Sequence, residues 1–402
     1  MPELAFLPKF PPGLSQLTLF GGLLVLGLVA GEVFRRYLSL PRITGYAVAG
    51  VLLGPEVGGL LSRDALFDLR LLIDLSIGLV VFEIGYRLDA DWLRRNRWLS
   101  AAALAESALC FGAIYATLAA LGFRPILAAT AAAIGTATSP AVVLLVSNEL
   151  RSEGQVTERM LLFTAVNTVF AYVVLTLLLP FLHLEQRADW RMALLHPAYL
   201  FAGAVLAGYL ANALLLQAAR WVGKREEGQF MLLIAVIVLT IGLGHSLNLS
   251  VPLALLTLGM LARNRDRSHV LLPARLGSGA QLFFVILFVL TGASLEFHAF
   301  GTAAAGAVAA FIVARLLGKA LAIAALGRAS GISLRAAGCL AVSLVPMSGL
   351  AVVMVRDTVT FYPSFGRELA AVVLSVIVVL ELAGPIATQW ALRRAGEAKP
   401  DG

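Results

Sequence analysis

Gly135-Thr136-Ala137-Thr138-Ser139-Pro140 interrupts an apolar run from 125 to 147, and Ser343-Leu344-Val345-Pro346-Met347-Ser348-Gly349 interrupts another, from 333 to 355. A proline inside a helix removes a backbone hydrogen bond and frees carbonyls, which neighbouring Thr and Ser hydroxyls can satisfy or which can coordinate an ion. Each run therefore reads as a helix broken near its middle. Two such breaks in corresponding places of two chain halves point to a transport site where half-helix ends meet at mid-membrane.

The surrounding sequence is built for a bilayer. Of 402 residues, 59% are hydrophobic and 14% charged, against roughly 25% charged in soluble domains, which excludes a soluble multi-domain protein. A hydrocarbon core about 30 Å thick needs about 20 apolar residues per helix. On that measure the chain divides into thirteen segments, at about 14–35, 41–62, 66–87, 98–121, 125–147, 159–182, 195–219, 228–245, 249–262, 278–294, 299–326, 333–355 and 367–391. The broken fifth segment is the middle of the triple four to six, and the broken twelfth is the middle of eleven to thirteen. With an odd number of spans the triples run in opposite directions, so topology alone predicts an inverted repeat.

The net charge of +7 reports orientation and not a nucleic-acid partner, because the basic residues sit at the ends of apolar runs. Placing the N-terminus outside and the C-terminus in the cytoplasm puts 21 of the 31 Lys and Arg residues in inner loops and eight outside, as the positive-inside rule requires. The remaining two, Arg315 and Lys319, lie within the eleventh span. Cys110 and Cys339 fall in apolar segments and build neither a disulfide framework nor a zinc site. Residues 1–14 lack a basic stretch and a cleavage site, so the first helix is expected to be retained. No loop is long enough for a domain, and 395–402 reads as a short cytoplasmic tail, leaving regulation to a possible separate subunit.

Polar groups within the spans are the functional candidates, since each costs free energy in the bilayer unless paired or hydrated. Glu32 and Glu83 stand within a turn of Arg35, Arg36 and Arg87 and read as paired carboxylates at helix ends. Asp74, Glu106 and Glu381 read as lacking a basic neighbour within a turn. Arg315 and Lys319, at i and i+4, share one helix face; Lys319 could also snorkel to the interface. Thr164, Asn167, Thr168 and Tyr172 form a neutral polar stripe on the sixth span. No G-x-S-x-G, H-E-x-x-H or P-loop occurs, so neither an enzyme nor a bound cofactor or resident metal is expected. Gly50 and Gly54 form one GxxxG, a common packing device.

In this order and spacing, several motifs resemble the monovalent cation:proton antiporters of the cation:proton antiporter-2 superfamily, which includes Kef-like and NapA-like proteins. They are Pro41-Arg42-Ile43-Thr44-Gly45-Tyr46 with Gly50 and Gly54-Pro55, Phe82-Glu83-Ile84-Gly85, Thr138-Ser139-Pro140, Leu258-Gly259-Met260-Leu261, Leu290-Thr291-Gly292 and Pro346-Met347-Ser348-Gly349-Leu350-Ala351. The resemblance runs nearly end to end. It implies one exchanger domain over 1–394 with two crossing broken helices, a homodimer in the cell's inner membrane, and elevator-like alternating access. Core helices would cover about 98–182 and 299–391, scaffold helices about 14–87 and 228–294, with 195–219 as linker.

One departure bears directly on mechanism. Family members usually carry an aspartate in the helix after the first break, where Na⁺ or K⁺ competes with H⁺ for one negative charge, and the aligned residues here are Asn167 and Thr168. Neither takes up or releases a proton. The basic residue that the family places opposite corresponds to Arg315 or, in second place, Lys319. Exchange would then need another carboxylate, for which Asp74, Glu106 and Glu381 are the candidates, with Thr138, Ser139, Thr164 and Ser348 along the ion path. The alternatives are an uncoupled cation channel or uniporter, and a non-transporting membrane sensor or scaffold.

Overall fold

The computed structural model describes residues 16–185, 190–266, 270–271, 278–295, 305–327, 330–347, 349–361 and 363–399. Among the described residues there are seventeen helices and no strands. The first half comprises α1 (Gln16–Leu38), α2 (Arg42–Leu53), the short α3 (Arg63–Asp68), α4 (Arg70–Tyr86), the short α5 (Ala90–Arg95), α6 (Arg97–Ala120), α7 (Pro125–Thr136), α8 (Pro140–Glu149) and α9 (Gln155–Glu185). There follow α10 (Trp190–Val222), α11 (Glu226–Ser246), α12 (Val251–Arg265), α13 (Ser278–Ala293), α14 (Ala305–Gly327), α15 (Leu334–Ser343), α16 (Gly349–Phe361) and α17 (Pro363–Ala395). This is the all-helical, polytopic architecture with two broken helices that the apolar runs predict.

Among the described residues, eight helices, counting α7–α8 as one, are long and apolar enough to cross a membrane. The other expected spans are α2, α4, α12, α13 and the interrupted α15–α16. The second span is shorter than expected, ending at Leu53 and not near 62. Gly54 turns extended and its N–H returns to Gly50 O and Val51 O, while Pro55 has no N–H with which to continue the helix. Two short helices, α3 and α5, were not anticipated; each is started by a side-chain cap, Ser62 accepting from Ala65 N and Asp89 from Trp92 N.

Helix α14 turns apolar side chains outward and its two charged ones inward. On α14, Leu317 and Leu321 are 55% and 64% exposed, whereas Arg315 and Lys319 are wholly buried. Lys319 therefore does not reach the interface by snorkelling; it points into the protein. Close packing explains several of the sequence motifs: a Cβ on Gly50 would fall into Val289 O of α13, and one on Gly259 into Phe82 O of α4. The GxxxG pair on α2 thus seats a helix of the same chain.

Helices α1, α2, α4, α11, α12 and α13 pack on one another, as do α6–α9 with α14–α17, and α10 lies against α9, α11 and α12. At one end the stretch after α17 folds back on the second group. Glu397 accepts from Val156 N and Thr157 N, both at 2.7 Å, and from Thr157 Oγ1 at 2.8 Å, capping α9 with a carboxylate where the helix dipole favours one. Lys399 N donates to Leu150 O at 3.1 Å.

Candidate functional site

The two breaks meet and are tied by main chain. α7 stops at Thr136 and α8 restarts at Pro140, with Ser139 as the capping residue that accepts from Val142 N. Proline in the first turn gives up an N–H that would be unpaired there in any case. Ser139 N donates to Pro346 O of the second break at 2.9 Å, and Thr138 Oγ1 donates to Leu344 O at 3.3 Å. Ser348 lies outside the described residues.

Breaking a helix leaves its last carbonyls without partners, and here Arg315 satisfies them. Its Nε donates to Gly135 O at 2.8 Å, Nη1 to Val345 O at 2.7 Å, and Nη2 to Ala137 O at 3.0 Å and Pro346 O at 3.4 Å. Gly135 lies in the last turn of α7 and Ala137 caps it, while Val345 and Pro346 lie in the break that follows α15. Each helix C-terminus carries roughly half a negative charge, so the two together balance one guanidinium. The fork of donors that only arginine has is spent on holding the crossing together.

Lys319, one turn further along α14, faces a carboxylate. Its Nζ stands 2.6 Å from Glu106 Oε1 on α6, with both side chains fully buried. It also donates to Thr136 O and to Thr138 Oγ1, each at 3.2 Å. Asn167 on α9 closes the group, donating from Nδ2 to Thr138 Oγ1 at 3.1 Å and lying 3.5 Å from Glu106 Oε1. Ser107 Oγ donates to Asn167 Oδ1 at 2.7 Å. Glu106 Oε2 is buried with no hydrogen-bond partner among the described residues. One carboxylate, its ammonium counter-ion and several neutral oxygens are thus gathered at the end of a half-helix.

Other candidates lie elsewhere. Thr164 and Thr168 donate their hydroxyls to Met160 O and Thr164 O of their own helix. Asp74 is away from the crossing, with Arg70 Nε at 3.8 Å and His245 Nε2 of α11 at 3.5 Å; Arg70 stands four residues before it, so a basic neighbour was present in the sequence. Glu381 on α17 meets Thr291 of α13, with Oε1 2.9 Å from Thr291 Oγ1. Glu32 and Glu83 pair with Arg35, Arg36, Arg42 and Arg87. Sequence reading missed Ser107, whose signal is a second polar residue directly after Glu106 inside an apolar span.

A family model described as sodium/hydrogen exchanger, transmembrane, matches residues 21–394. The chain belongs to that family. Sodium/hydrogen exchangers are membrane antiporters and not enzymes, and this exchanger chain is accordingly a multi-pass membrane protein. Its fold is similar to that of the sodium proton antiporter MjNhaP1 from Methanocaldococcus jannaschii. The structure of that protein at pH 8 aligns at TM-score 0.65 and 15% identity over 95% of each chain. An electron-microscopy map of the same protein aligns at TM-score 0.67 and 17% identity over 96% of this chain and all of the other. No curated protein matches the exchanger sequence.

Proposed function

We propose that the chain exchanges a monovalent cation, Na⁺ or K⁺, for protons, with Glu106 and Lys319 as the exchanging pair. The observation that carries this reading is the fully buried 2.6 Å contact between them at the crossing of the broken helices. Glu106 supplies, from α6, the negative charge that Asn167 and Thr168 do not.

Charge balance gives the cycle. Glu106⁻ with Lys319⁺ is neutral. A cation bound at Glu106 would leave one excess positive charge in a low-dielectric site, which is costly. Loss of a proton from Lys319 restores neutrality, and when the cation leaves, Lys319 takes up a proton again and its ammonium pairs once more with Glu106. Both forms of the site carry the same charge, so the exchange is one cation for one proton without net charge movement. Asn167, Thr138 and Thr136 O supply neutral ligands on the same side as the carboxylate.

The remaining features of this reading are an elevator-like displacement of α6–α9 with α14–α17 against the other helices, a homodimer, and an outside N-terminus with a cytoplasmic C-terminus. They are supported by the resemblance to known antiporters and by the distribution of Lys and Arg.

The test uses purified protein in liposomes with a trapped pH dye and imposed Na⁺ or K⁺ gradients. Cation-driven proton movement is expected in the native protein and is expected to vanish in Glu106→Gln. Proton movement that survives this substitution would place the exchanging charge elsewhere.

A further inference from the structure

Glu381 stands apart from the exchanging pair and has a proton problem of its own. Its side chain is buried, Oε1 lies 2.9 Å from Thr291 Oγ1, and Oε2 has no hydrogen-bond partner among the described residues. Thr291 Oγ1 also lies 2.7 Å from Leu287 O. A hydroxyl has one proton to give, so Thr291 can serve Leu287 O or an ionised Glu381 but not both. A protonated Glu381 removes the conflict: its O–H donates to Thr291 Oγ1, whose own proton goes to Leu287 O, and the bare oxygen carries no charge.

Among the described residues, no cation of the surrounding helices pairs with it. Helices α7 and α13 contain no charged residue. On α14, Arg315 and Lys319 are bound to the carbonyls and to Glu106. Arg42 of α2 and Glu149 of α8 hold each other. On α16, Arg356 and Asp357 belong to the cluster around Asp74 and His245. The charged residues of α15 and α9 sit at helix ends, where Arg335 bonds Arg394 O and Arg159 bonds Ser330. Among the described residues, Thr291 is the one polar side chain hydrogen-bonded to Glu381.

The contact joins α17 to α13, helices that the antiport reading puts on opposite sides of the sliding seam. We propose that Glu381 is a positioning residue at this seam: the mobile helices slide past α13 while Glu381 is protonated, its bond to Thr291 breaking and re-forming, and stop when it ionises. This proposal rests on the antiport reading above. An ionised carboxylate cannot cross a dry apolar seam without a partner, so alkaline conditions would favour forms in which water reaches Glu381 and deplete the present one.

The experiment compares exchange by native protein and Glu381→Gln in liposomes between pH 6 and 9, because the amide donates to Thr291 as the protonated acid does. The ratio of variant to native rate is expected to stay near one at acidic pH and then to rise about tenfold per pH unit beyond a midpoint. Thr291→Val, which removes the partner but keeps Glu381, is expected to move that midpoint. Parallel profiles for all three proteins would overturn the proposal, and so would complete loss of exchange in Glu381→Gln, which would make Glu381 the exchanging carboxylate. Modification of Glu381 by a hydrophobic carbodiimide, read by peptide mass, gives a readout independent of transport. Labelling that falls as pH rises is expected, and labelling indifferent to pH would overturn the protonated state. Failure of the antiport reading is separate and visible as native protein without cation-driven proton movement.

Discussion

Lys319 Nζ and Glu106 Oε1 meet at 2.6 Å although 213 residues separate them in the chain. Helix α14 brings a cation, α6 brings an anion, and both are sealed from solvent. A buried pair of this kind is balanced between desolvation and attraction, so removing one partner does more harm than removing both.

That asymmetry is measurable as stability. Lys319→Met or Glu106→Gln alone is expected to destabilise the folded protein by about 3–5 kcal/mol, because each leaves a buried charge without its counter-ion. The double substitution is expected to recover most of the loss. Thermal unfolding in detergent distinguishes the three, and a double variant as unstable as the sum of the singles would show that the pair is not coupled.

Asn167 and Thr168 differ in where their side chains point, and substitution should reveal it. Asn167→Asp places a second carboxylate beside Glu106 and Lys319, giving the empty site a net negative charge. Exchange by this variant is expected to become sensitive to membrane potential, whereas Thr168→Asp, at a position turned to its own helix, is not expected to confer that sensitivity. Proton flux under clamped potentials checks both.

Arg315 is irreplaceable by lysine on geometric grounds. A single ammonium cannot span carbonyls on two helices that the guanidinium reaches with three nitrogens. Each buried carbonyl left unpaired costs about 1–3 kcal/mol. Arg315→Lys is expected to lower stability by at least one such increment while leaving the apparent cation affinity of the surviving folded protein nearly unchanged. A large affinity shift without destabilisation would move Arg315 into the ion site.

Outside the spans, Asp89 gives a pH signature. The Trp92 N–H and then Arg263 hold its carboxyl below the usual carboxylate range. A depressed value in the folded state stabilises the protein above the unfolded value of about 4 and ceases to do so as pH falls through the folded value. Asp89→Ala is expected to cost about 1 kcal/mol at neutral pH through loss of the α5 cap. The difference from native protein should fade below about pH 4, as thermal melts across that range would record.

The breaks at 135–140 and 343–349 were legible because Pro, Ser and Thr stand out in apolar surroundings and their chemistry is local. The partner of Glu106 was not, since no spacing rule connects α6 to α14. Asn167 was found as part of a helical stripe, but the same stripe could not tell it from Thr168, whose hydroxyl is used up by its own helix. Asp74 and Arg70, at i and i+4, were legible and passed over. The early end of α2 was written in Gly54-Pro55, a signal outweighed by the apolar residues that follow.

Arg315 grips peptide oxygens at positions 135, 137, 345 and 346, and every amino acid has a peptide oxygen. The residues at the crossing can therefore change in evolution without loosening its central fastening, provided that the one guanidinium stays. A fold secured in this way can drift far in sequence before it loses its shape, which accords with a backbone that follows MjNhaP1 over nearly its whole length at 15–17% identity.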